Sequence, residues 1–197
     1  MATPAHTLLA CARDLALLDL VVLVDSALAS GCTPQEIDEA AAHRSHGAPR
    51  LRRALELADA RSESPWETLL RLLHVSVGVP VVPQHVVRSA GGVFVARGDL
   101  WLPGTTVLHE YDGGGHRTAR AHASDLRRDR ALHAAGWTRR GYVAADLCRH
   151  PRAVLEDIDT TVGRPHRPER IRSWLALLRD STFTASGRLR LQRRLTR

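Results

Sequence analysis

From Asp99 to His116 the chain reads Asp-Leu-Trp-Leu-Pro-Gly-Thr-Thr-Val-Leu-His-Glu-Tyr-Asp-Gly-Gly-Gly-His, and this stretch restricts the fold more than any other. One apolar run carries Asp99, Pro103-Gly104 makes a turn, and a second run through Val107 and Leu108 ends in Glu-x-Asp-Gly-x-x-His. Two short apolar runs about a Pro-Gly pair read as a β-hairpin. Side chains alternate along a strand, so Glu110 and Asp112 share a face, and Asp99 on the partner strand can lie opposite them. Two or three carboxylates on one side of a sheet, with His116 four residues on, suit a hard cation.

The flanking sequence supplies the other layers. Residues 84–89, 93–102 and 105–112 are candidate strands, separated by Gly91-Gly92 and Pro103-Gly104. Ser64-Pro65-Trp66-Glu67 has the signature of a helix N-terminus and opens a helix to about residue 77. A charged helix follows over 121–135, Gly136 stops it, and 137–143 reads as a fourth strand, with short helices from 146 and over 151–161. Upstream, Leu and Val keep helical spacing over 7–30, which predicts one helix ending at Gly31. Thr33-Pro34-Gln35-Glu36 caps a second helix to about residue 43, and a third spans 49–60. Residues 164–168 look like a linker, followed by an amphipathic helix over 169–179 and a polar, Arg-rich tail. The expected organisation is a helical region over 1–61, an α/β domain over 62–162, and a linker, helix and tail over 163–197.

All 28 basic residues are arginine and the net charge is +7. That balance favours polyanions, although arginine without lysine also reflects a GC-rich coding sequence. Without lysine neither a Walker-type phosphate loop nor a Schiff base can form. Cys11, Cys32 and Cys148 are odd in number, lie far apart and form no CxxC pair, which fits a reducing compartment. The most apolar run, 15–24, is too short and too acidic to span a bilayer, and no basic leader precedes it. A cytoplasmic protein that does not enter membranes is expected.

Five ordered blocks carry a resemblance: Ser64 to Glu67, Asp99, Glu110 to His116, Asp125-Leu-Arg-Arg128-Asp129, and Gly136-Trp137. Over about residues 62–160 they resemble the very-short-patch-repair-like endonuclease domain of unknown function, an actinobacterial branch of the PD-(D/E)xK nucleases that follows a helical N-terminal region. The resemblance implies an α/β fold with a restriction-endonuclease-like core of order α-β-β-β-α-β, a mixed central sheet flanked by helices. It also implies Mg²⁺-dependent hydrolysis of DNA phosphodiesters, with Mn²⁺ as a substitute and double-stranded DNA as partner. Asp99 and Glu110 would hold the metal and Glu67 would support it. His116 would assist proton transfer and Asp112 would orient it or a water, since Asp112 stands where the wider superfamily carries lysine. Arg120, Arg127 and Arg128 would contact phosphates, and the N-terminal helices could form a homodimer.

Each residue also has a plain structural reading. Glu67 completes a capping box with Ser64, Asp99 and Glu110 are solvated strand-end acids, His116 is a loop histidine, and Arg128 and Asp129 decorate a helix surface. Two rival functions use the same blocks: a non-catalytic nucleic-acid-binding regulator or antitoxin-like protein on a nuclease fold, and an RNase with the same ligands.

Overall fold

The computed structural model describes residues 3–42, 45–113 and 119–196, the side chains of 119–122 excepted. The chain forms two compact units, one of residues 1–72 with 172–197, the other of residues 73–171. These limits differ from the expected 61/62 and 162/163 boundaries, because the C-terminal helices join the N-terminal ones.

The first unit holds helices α1 (Pro4–Cys11), α2 (Leu17–Ala29), α3 (Pro34–Ala42), α4 (Ala48–Leu57), α9 (Arg172–Arg179) and α10 (Ala185–Leu195). It also holds most of α5 (Pro65–Ser76), along which the chain passes into the second unit. Thr33 and Glu36 cap α3 reciprocally: the Thr33 amide donates to Glu36 Oε2 at 2.7 Å, and the Glu36 amide donates to Thr33 Oγ1 at 3.2 Å. The single helix expected over 7–30 is two helices. Arg50 supplies the reason, since its Nη1 donates to the carbonyls of Ala12 and Leu15, both at 2.9 Å. A donor 35 or more residues away satisfies carbonyls that a continuous helix would have bonded internally, so the apolar spacing runs unbroken through the gap.

Asp25 is buried in the same unit. Its Oδ2 accepts from Arg71 Nη2 at 2.8 Å and Thr68 Oγ1 at 2.7 Å, and its Oδ1 accepts from the Asp59 amide at 2.7 Å. The expected polar tail is helical over α10. Thr184 caps it by accepting from the Gly187 amide at 3.0 Å, and Leu, Arg and Gln all favour helix.

In the second unit β1 (Val82–Arg88), β2 (Phe94–Trp101), β3 (Val107–Tyr111) and β4 (Thr138–Tyr142) form one mixed sheet in that spatial order. The first three strands are antiparallel, and β4 runs parallel to β3. A parallel pair needs a crossover, and α6 (Ala119–Ala134) provides it, packing across β2 and β4. Val87, Ala96, Leu108 and Leu132 form the core between helix and sheet, with Trp101 and Trp137 packed against it. Helices α7 (Ala144–Cys148) and α8 (Pro151–Thr161) follow, then a 3-10 turn at Pro168–Ile171. The helix expected from 146 thus starts at Ala144, and the one expected over 169–179 opens as this 3-10 turn before α9.

The segment expected as a linker is clasped. Asp159 on α8, 1% exposed, accepts from Arg164 Nε at 2.5 Å, His166 Nδ1 at 3.0 Å, the Arg167 amide at 3.3 Å and Arg170 Nη1 at 3.3 Å. Burial alone would raise the Asp159 pKa, but hydrogen bonds from Arg164 and His166 and the Arg164 charge outweigh it and hold the carboxyl below its ordinary range. The clasp therefore persists at neutral pH and loosens only as pH falls through that lowered value. Asp159→Ala should destabilise the second unit by about 3 kcal/mol, read from urea denaturation, and should open the Arg170–Ile171 bond to trypsin.

Candidate functional site

The ladder between β2 and β3 pairs only Leu100 with His109 and Trp101 with Leu108, whereas β3 continues beside β4 to Tyr111. Past His109 the two antiparallel strands part. Asp99 fills the opening: its Oδ2 accepts from the Tyr111 amide at 2.9 Å, a bond that a strand carbonyl would otherwise take. Carrying the strand register one residue further sets Asp99 opposite Glu110.

Glu110 is buried, at 4% exposure, and both its oxygens are taken by guanidinium groups. Arg128 of α6 donates from Nη1 to Oε2 at 2.8 Å and from Nη2 to Oε1 at 2.5 Å, and its Nη2 also donates to the Arg97 carbonyl at 2.6 Å. Arg139 of β4 donates from Nη1 to Glu110 Oε2 at 3.3 Å and to Asp112 Oδ1 at 3.1 Å, while its Nε donates to Asp129 Oδ1 at 2.9 Å. Glu110 and Asp112 thus meet one guanidinium, as two residues on the same side of a strand can. Burial would lower the Arg139 pKa, but the Asp129 hydrogen bond and the charges of Glu110, Asp112 and Asp129 drive it upward, so this arginine stays charged. Asp112 also lies over Gly141, where a Cβ would collide with its carboxylate.

The remaining expected residues are placed as follows. Glu67 sits in the first unit at the start of α5, where its amide donates to Ser64 Oγ at 3.2 Å and its Oε2 accepts from the Glu63 amide at 2.9 Å. That is the capping role, with the carboxylate reaching one residue before the cap. His116 and the Arg120 side chain lie outside the described residues. Arg127 is exposed, and Arg128 is the Glu110 partner rather than surface decoration.

Arg139 was not among the candidates read from the sequence, although an arginine two residues after Gly136-Trp137, on a strand beside the acids, was a usable signal. The oxygens of Asp99, Glu110 and Asp112 are the donors that a hard cation requires. In this arrangement arginines hold the cationic place beside Glu110, and among the described residues no group of three or more His, Cys, Asp or Glu could hold a metal ion.

The residue next to Glu110 enters a different network. His109 is fully buried, and its Nδ1 lies 2.8 Å from His74 Nε2 and 3.3 Å from Tyr142 Oη. Tyr142 donates to Asp157 Oδ2 at 3.0 Å, and Asp157 Oδ1 pairs with Arg140 at 2.5 Å. Among the described residues His109 Nε2 finds no hydrogen-bond partner. Burial chiefly, then the positive charge that His74 and Arg140 bring, lowers the His109 pKa to about 2. Burial, then the Asp157 charge, raises that of Tyr142. His109 and Tyr142 are neutral at physiological pH.

No protein-family model matches the chain, and no solved structure matches it. Two curated proteins do, from two strains of Mycobacterium tuberculosis, both described only as uncharacterized. Each is 31% identical over 153 residues, covering 75% of this chain and 56% of the relative. The chain thus spans little more than half the length of the relatives it matches. Among the described residues, no helix is long and apolar enough to cross a membrane.

Since His109 is neutral in the folded unit and titrates near 6.5 when unfolded, the unfolded chain binds the extra proton between those values. Stability should therefore fall as pH drops below 6.5, by about 1.4 kcal/mol per pH unit from this group, and be indifferent to it above. Unfolding free energies from urea titrations of the wild type and His109→Gln, taken from pH 7 downward, should diverge by that slope.

Proposed function

We propose that the second unit is a nuclease-like domain that hydrolyses nucleic-acid phosphodiesters with a divalent cation held by Asp99 and Glu110. The observation that carries this reading is the parting of β2 and β3 at the point where an acid from each strand meets the other's backbone or register. Support also comes from the order α5–β1–β2–β3–α6–β4, which is the order a restriction-endonuclease-like core requires. The sheet holds Asp99, Glu110 and Asp112 at fixed positions, and α6 and β4 bring two arginines to them. When bound, the cation would acidify a water and offset charge on the phosphorus. The chain's own part is to fix the carboxylates, keep Glu110 desolvated, and present guanidinium donors beside it.

The occupation of both Glu110 oxygens favours a second reading, a non-catalytic nucleic-acid-binding regulator in which arginines replace the cation. Incubation of supercoiled plasmid, linear duplex and single-stranded RNA with Mg²⁺ or Mn²⁺ separates the two. Cleavage that chelation abolishes, and that Asp99→Ala and Glu110→Gln both lose, is the expected result. Binding of the duplex without cleavage, unchanged in Glu110→Gln, would replace the nuclease reading with the regulator.

A further inference from the structure

Among the described residues Phe94 is the one aromatic side chain that stands largely in solvent, at 58% exposure, and the strand register explains how. Val87 of β1 pairs with Ala96 of β2 and Arg88 pairs with Phe94, so Val95 is the extra residue of a β-bulge. In an unbroken ladder Phe94, two residues from Ala96, would share its buried face. The bulge turns Phe94 to the other face, and Val95 packs against the core in its place. On that outer face Phe94 lies opposite Arg88, and Val86, two residues before Arg88, lies opposite Arg97. All four are exposed. The turn that carries them is tied down. The Ser89 amide donates to the Val93 carbonyl and the Gly92 amide to the Ser89 carbonyl, both at 2.9 Å, and Arg88 Nη1 donates to the Gly92 carbonyl at 3.0 Å.

An exposed aromatic ring held on a fixed turn marks a docking surface, and charge selects its occupant. No Asp or Glu occurs between Glu67 and Asp99, and the hairpin's own ionisable groups are His85, Arg88 and Arg97. A second copy of the chain would set arginine against arginine. A membrane surface takes apolar and cationic contacts at different depths, whereas here they alternate along one face. A nucleic-acid strand offers the same alternation, a planar base and an anionic phosphate in every nucleotide. In a duplex the base faces are covered by their neighbours, so a ring on the flat of a β-ribbon meets only unpaired bases.

We propose that the outer face of the β1–β2 hairpin binds single-stranded nucleic acid, with an unpaired base stacked on Phe94 and a neighbouring phosphate held by Arg88. The proposal rests on the nucleic-acid reading of this unit and requires neither a cation nor cleavage. Phe94 and Asp99 lie on one strand, roughly 16 Å apart along it, so a few nucleotides bridge the distance to the opening between β2 and β3.

The test uses the full chain with a fluorescently labelled single-stranded DNA and the duplex of the same sequence, in EDTA so that neither is cut. Anisotropy should show the single strand bound about tenfold more tightly than the duplex, the worth of one base stacked on an aromatic ring. Phe94→Ala should lose about that factor on the single strand alone, with its salt dependence unchanged, and Phe94→Trp should keep it. Arg88→Gln should weaken single-strand binding and make its salt dependence shallower by about one phosphate contact. A 2-aminopurine base in the strand should lose fluorescence on binding the wild type and keep it on binding Phe94→Ala. Phe94 is exposed, so urea denaturation of Phe94→Ala should match the wild type and separate lost binding from lost folding.

Equal affinity of the wild type for both probes, or a Phe94→Ala protein that binds the single strand as the wild type does, would overturn the proposal. So would a Phe94→Ala protein that loses only binding to anionic phospholipid vesicles, or only self-association, which would mark the face as a membrane or dimer contact. If Mg²⁺-dependent cleavage is present while Phe94→Ala leaves single-strand affinity untouched, this inference falls and the nuclease reading stands. Phe94-dependent binding of the single strand without cleavage leaves the inference in place and removes the catalytic reading.

Discussion

A carboxylate on an inner strand, almost wholly withdrawn from water, is costly unless cations and hydrogen bonds surround it. Glu110 meets that condition through Arg128 and Arg139, and much of the second unit's geometry follows from satisfying it. Arg128 fixes how α6 lies over β2, because the same guanidinium bonds the Arg97 carbonyl. Arg139 fixes the pairing of β4 with β3, because Asp112 and Asp129 hold it from two directions. Gly141 is needed in turn, since Asp112 occupies the space a side chain would fill. One ion cluster thus registers a helix and three strands.

Strand β3 also separates two kinds of polar chemistry. Successive side chains along a strand point to opposite faces, so Glu110 belongs to a charged network while His109, its neighbour, belongs to one built around neutral groups. In the second network the His74–His109 pair and Tyr142 lead to Asp157 and, through it, to Arg140. Among the described residues nothing meets the second ring nitrogen of His109, a cost of the kind buried polar groups usually avoid.

Several parts of this arrangement were legible in the residues. Pro103-Gly104 and Gly91-Gly92 marked real turns, the four strands fell within a residue or two of their expected limits, and Thr33 to Glu36 predicted a cap that forms in full. Local signals sufficed because turns and caps are made by neighbours in sequence. What escaped depends on distant partners. Nothing near Ala12 announces that Arg50 will end a helix there, and residues 164–168 look like a linker until Asp159 gathers them. The site divides in the same way: period-two alternation brought Glu110 and Asp112 together, but the arginines that hold them come from α6 and β4, elements whose packing no spacing rule specifies. Glu67 had two readings from its position, and the local one, the cap, is the one its hydrogen bonds show.

The first unit is assembled from both ends of the chain, and α2 depends on that. Asp19, nearly buried on α2, accepts from Ser181 Oγ at 2.6 Å, the Thr182 amide at 3.1 Å and Thr182 Oγ1 at 2.9 Å. Ribosomal synthesis delivers those donors 162 residues after the acceptor, a delay on the order of ten to thirty seconds at ordinary elongation rates. Throughout that interval the nascent N-terminal helices have an acid without its native donors. The four strands of the sheet, from Val82 to Tyr142, are all synthesised within that interval.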